Sequence, residues 1–174
     1  DSARNLGSGG VDRVSDDGRH TWSQVAKAKI VASIVSAEDA SWESTLPTEL
    51  GSRLPRGYLK LKSGIATIQF GSGSVVTLEA PAKFMLKSPK RCRLVGGAAS
   101  IRVPDSAGEF LVETPNGQIV GQAAEFTVRS RPGDERSEFE VIEGEVEVNH
   151  PSTGETVRLT GKQAATITAL HLQT

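Results

Sequence analysis

The stretch "EFEVIEGEVEV" sets Glu138, Glu140, Glu143, Glu145 and Glu147 within eleven residues. A glycosidase works with two carboxylates roughly 5 to 9 Å apart, and Glu145 with Glu147 on one strand face would fall near that range. General-acid work also needs one carboxyl to be desolvated, and a sugar needs aromatic rings to lie on. The stretch offers only Phe139. The alternation supplies the plainer reading, in which Phe139, Val141, Val146 and Val148 point inward and the glutamates form the wet face of a strand. Gly144 interrupts the pattern as a bulge or sharp bend would.

The remaining chemistry-bearing residues are scattered. Calcium would accept the glutamate oxygens, but no Asp-rich loop accompanies them. His20, His150, His171 and the single Cys92 are too far apart in the chain to read as a zinc set. No serine lies in a GxSxG elbow, so "GSGS" at 71–74 is read as a hairpin turn. The Gly96–Gly97 pair in "RLVGGAAS" precedes no helix that could cradle phosphate, and is also read as a turn. "KSPKRCR" gathers Lys87, Lys90, Arg91 and Arg93 into the most basic patch of the chain. It lacks the stacking aromatics of a nucleic-acid surface and reads as a solvated turn, with contact to an anionic partner as the sharper alternative. Trp42 is read as a lid over the core more readily than as an exposed contact. No catalytic, cofactor-binding or metal-binding residue is assigned.

The elements that position these residues are short. From Leu54 onward, segments of alternating apolar and polar residues are divided by "GSGS", "SPKR", "TPNG", "RPGDE" and "HPSTGE". In "YLKLKSG" Leu59 and Leu61 share one side against Tyr58 and Lys60, and in "IATIQFGSG" Ile68 and Phe70 do the same. "SVVTLEA", "KFMLKS", "ASIRVP", "EFLVET", "QIVGQ", "EFTVRS", "ETVRLTG" and "QAATITAL" continue the pattern, each read as its own strand. The spacing predicts an all-β fold, either a sandwich or barrel or a solenoid-like roll of stacked strands. "WSQVAKAKIVASIV" mixes helical alanines with β-branched residues, and its strand is expected at 29–35.

With 174 residues, the chain buries enough surface to hold one core without disulfides or metal. Its net charge of -1 disfavours a general nucleic-acid or anionic-membrane binder. One cysteine leaves the compartment open. Residues 1–21, polar and rich in Gly, Ser and Asp, are expected to form a flexible linker, and 22–174 a single all-β domain. No apolar run reaches the ~20 residues of a spanning helix, and the chain opens on Asp with no signal-peptide pattern. It reads as a soluble piece of a longer protein.

Three blocks carry a resemblance: "SGIATIQFGSGSVVTLEAPAKF", "FLVETPNGQIVGQAAEFTV", and "EGEVEV" with its following "GKQA". From about Lys29 to Ile167 the order of segments resembles the FecR-like domain, especially the planctomycete type. Where such members carry a "DLGTEFGV"-like block, Gly121, Gln122, Ala123 and Ala124 depart from it while Glu125 and Phe126 match. The resemblance implies a solenoid-like outer domain of a membrane-anchored regulator, without a catalytic residue set and without cofactors. It implies an envelope protein as partner, and an extracytoplasmic-function sigma factor reached through an upstream segment. A periplasmic location is implied too, with the membrane met only through an upstream anchor. The competing expectation is a cell-surface module for polysaccharide, using Trp42, Tyr58 and the "KSPKRCR" patch.

Overall fold

The computed structural model describes residues 29–131, 135–168 and 172–174. The expected linker, Trp22, His20, His171 and the middle of "RPGDE" lie outside them. Among the described residues, strands β1 (Ala32–Trp42), β2 (Arg53–Leu54), β3 (Gly57–Phe70), β4 (Val75–Ser88), β5 (Arg91–Val103), β6 (Phe110–Glu113), β7 (Gln118–Ser130), β8 (Arg136–Asn149), β9 (Thr156–Thr160), β10 (Ala164–Thr168) and β11 (Leu172–Gln173) form one mixed sheet. The all-β expectation holds. Neighbours pair antiparallel, except that β5 runs parallel to β6. "GSGS", "SPKR", "TPNG" and "HPSTGE" do join consecutive strands, as read.

Four of these strands join segments that the sequence reading keeps apart. "YLKLKSG" and "IATIQFGSG" are two halves of β3, "SVVTLEA" and "KFMLKS" of β4, "RLVGG" and "ASIRVP" of β5, and "QIVGQ" and "EFTVRS" of β7, while β8 runs through Gly144 as one bent strand, as read. Gly96 and Gly97 are therefore not a turn but a bend inside β5, at the register shift opposite Lys83 and Glu79. A Cβ on Gly97, whose φ is +113°, would lie 2.6 Å from Pro81 O, so the close strand approach there requires glycine. Ala123, where the chain departs from the family block, has φ +49° and faces Gly144 across the β7–β8 bend.

On each strand the bend preserves one apolar face. Buried positions in β8 run Phe139 and Val141 before Gly144, then Val146 and Val148 after it. The step between 141 and 146 is odd, so one extra residue restores the inward phase while the sheet changes direction. The two halves of the sheet consequently fold over a single core. Phe70, in one half, meets Phe110 edge-on at 4.9 Å and Phe84 at 6.2 Å in the other. His150, buried at the end of β8, hydrogen-bonds Thr168 O at 2.7 Å, and the Gly117 backbone lies against Ile167.

β1 departs from its expected span of 29–35, beginning at Ala32 and running to Trp42. Residues 35–39 are exposed, so the apolar pattern gives out early; the strand persists because its backbone pairs with β3 as far as Trp42↔Leu61. Trp42 is half-buried and packed on the core, as the lid reading expects.

Candidate functional site

The five glutamates of β8 are all exposed, on the face opposite Phe139, Val141, Val146 and Val148. Glu145 and Glu147 do stand together, but what lies between them is Arg158 of β9, at 3.6 Å and 3.9 Å. All three side chains are more than half open to water. That is a hydrated ion-pair cluster on an outer face, without the enclosure that raises a general acid. The stripe belongs to the surface.

The basic patch is organised differently. Lys87 closes β4, and Arg91 and Arg93 open β5 after the two-residue turn Pro89–Lys90. Cys92, between the arginines, points into the core and is fully buried. Burial, with a smaller push from the Glu113 charge, raises its thiol well above the usual range, so it is no nucleophile. The arginines point outward to a residue that the sequence reading passed over. Glu113, paired with Arg93 across the parallel β5–β6 ladder, accepts hydrogen bonds of 2.7 Å from both Lys87 Nζ and Arg91 Nε. Arg93 stands 3.6 Å away. Glu113 is 7 % exposed. Burial pulls its carboxyl upward, but hydrogen bonds from Lys87 and Arg91, then their charges, outweigh this and hold it below the ordinary carboxylate range. The expected solvated turn is thus tied down by a buried acid. The signal for it was a run of four cations with no acid of its own.

The cationic surface extends beyond this cluster. Along β3 and β4 the outward positions carry Tyr58, Lys60 and Lys62, then Lys83, Met85 and Lys87. Lys60 and Lys83 are direct cross-strand partners. Glu43, just after β1, reaches Lys60 at 2.9 Å. That hydrogen bond, and then the Lys60 charge, lower the Glu43 carboxyl, and Lys60 is raised in return. Between the lysines, the bend formed by Pro81, Ala82, Gly96 and Gly97 leaves a trough of about 270 Å³. Of the rings expected to meet a polysaccharide, Tyr58 is 39 % exposed whereas Trp42 packs on the core.

His150 is also fully engaged. Its Nδ1 accepts from Ser152 N and Thr153 N while Nε2 meets Thr168 O, which suits a neutral ring with its proton on Nε2. Among the described residues no three His, Cys, Asp or Glu side chains are grouped to hold a metal ion. Nor is any helix among them long and apolar enough to cross a membrane.

Comparison with known proteins bears on the fold and the family. A family profile described as FecR protein matches residues 60–147, from the lysine pair on β3 to the glutamate stripe on β8. Two crystal structures of a candidate anti-sigma factor from Parabacteroides distasonis share the fold. One has a TM-score of 0.58 at 21% identity, covering 66% of this chain and 57% of its own. The other has a TM-score of 0.52 at 18% identity, covering 83% and 58%. The chain therefore spans less than two thirds of the length of these proteins. No curated protein matches it.

Proposed function

Because this chain belongs to the FecR protein family, we propose that it is the non-catalytic, extracytoplasmic regulatory domain of a membrane-anchored protein, passing an envelope signal to an extracytoplasmic-function sigma factor. The observation that carries this reading is the family match from Lys60 to Glu147, which spans both halves of the folded sheet. The anti-sigma description of the similar folds points the same way.

Recognition in this reading is protein to protein. The molecule has the means for it: a charged outer face, and an edge along β9, which among the described residues pairs only with β8. The anchor and the sigma-binding segment would belong to the longer protein. The test is deletion of residues 29–174 from the full-length protein, followed by transcript profiling. A changed set of transcripts, dependent on one sigma factor, is expected; an unchanged profile under envelope stress and at rest would overturn the reading.

A further inference from the structure

Lys60 and Lys83 break a rule of sheet construction. Like charges directly opposite on one face of an antiparallel pair are destabilising, and natural sheets usually alternate them. Here the pair is extended by Lys62, two residues along β3 on the same face, so three ammonium groups rim one trough. Glu43 hydrogen-bonds Lys60 and also feels the Lys62 charge, but among the described residues neither Lys62 nor Lys83 has a carboxylate within ion-pair distance. The trough floor is apolar, made of Leu61, Pro81, Ala82 and the backbone of Gly96 and Gly97. A local rule broken with only partial compensation inside the fold marks a place where the rest comes from outside.

We propose that this trough is a docking site for an acidic segment of a protein partner, whose carboxylate lies between Lys62 and Lys83 while a neighbouring aliphatic side chain covers the Pro81–Gly97 floor. Charge complementarity selects the anion, and the surface itself shows the geometry. Two carboxylates beside this face, Glu43 and Glu113, are held by its cations at 2.9 Å or less. The apolar floor selects the rest of the ligand. No aromatic ring among the described residues lines the trough, so neither a sugar nor a nucleobase has a face to stack on there. A cavity of about 270 Å³ also suits one or two side chains better than a headgroup array. The inference stands on this face alone and holds whatever pathway the domain serves.

Fluorescence anisotropy of labelled poly-L-glutamate with the full chain at low salt tests it, alongside polygalacturonate and phosphatidylglycerol vesicles. Lys62→Glu/Lys83→Glu is expected to weaken poly-L-glutamate binding by about tenfold or more, and Arg53→Glu/Arg102→Glu, with the same change in net charge, by much less. Lys62→Gln/Lys83→Gln, which adds no negative charge, is expected to weaken binding as well and guards against a misfolded charge-reversal variant. Equal losses in the two charge-reversal pairs would overturn the proposal, as would undiminished binding by the Gln pair. So would tighter binding of polygalacturonate or of the vesicles through the same lysines.

Discussion

Arg91 and Glu113 meet through two nitrogens and one oxygen: Nε and Nη2 of the arginine lie 2.7 Å and 2.6 Å from Oε2 of a carboxylate that is nearly closed to water. Residues 22 apart in sequence are joined where the β4–β5 hairpin lies against β6. Lys87 occupies the other oxygen. The carboxylate is desolvated and its compensation comes from three cations on two strands, so removing the acid leaves those cations crowded and uncompensated.

Glu113→Gln is accordingly expected to cost about 2 to 3 kcal/mol in urea unfolding, more than the loss of an exposed pair would. The pH dependence follows from the lowered carboxyl. A group whose folded value lies below its unfolded one contributes stability above the unfolded value, ~4.3 for glutamate, and loses it as pH falls through the folded value. Wild-type stability should therefore drop below about pH 4 in a step that Glu113→Gln lacks. Identical acid limbs in the two proteins would refute the assignment.

Glu145 and Glu147 should behave oppositely. Their ion pairs with Arg158 are long and more than half exposed. Glu145→Gln/Glu147→Gln is expected to shift the unfolding free energy by less than about 0.5 kcal/mol. A glycan hydrolysis by the chain that both substitutions abolish would return these residues to a catalytic role.

The contrast between these glutamates and Glu113 shows what a linear reading reaches. Alternation placed Leu59, Leu61, Ile68, Phe70, Val146 and Val148 in the core and the β8 glutamates in water, because a strand's two faces are written in neighbouring residues. Glu113 was missed because its partners lie on β4 and β5, and only strand pairing brings them together. The same limit explains the divided strands. Glycine and proline report that the backbone must depart from a regular path, but the departure is a chain reversal at Gly71–Ser74 and a bend at Gly97, and the difference lies in what the adjacent strand is doing. Gly144 could be read as a bend because apolar alternation resumed on its far side, out of phase by one residue.

That distinction gives a quantitative test within one pair of glycines. Gly144 and Gly154 have similar positive φ values, +89° and +78°. A Cβ at Gly154 would meet nothing within 4 Å, whereas at Gly144 it would press on Ala123 O and lie 2.7 Å from Ala124 Cα. Both substitutions place alanine in a left-handed conformation, costing about 1 kcal/mol. Only the one in β8 must also push apart the strands at the bend, where backbone has little room to give. Gly154→Ala is expected to lower stability by about 1 kcal/mol, and Gly144→Ala by about 3 kcal/mol. Urea unfolding of the two variants measures the difference. If the two costs agree within error, the strands at the bend can separate freely, and the close β7–β8 approach does not fix the fold of the sheet.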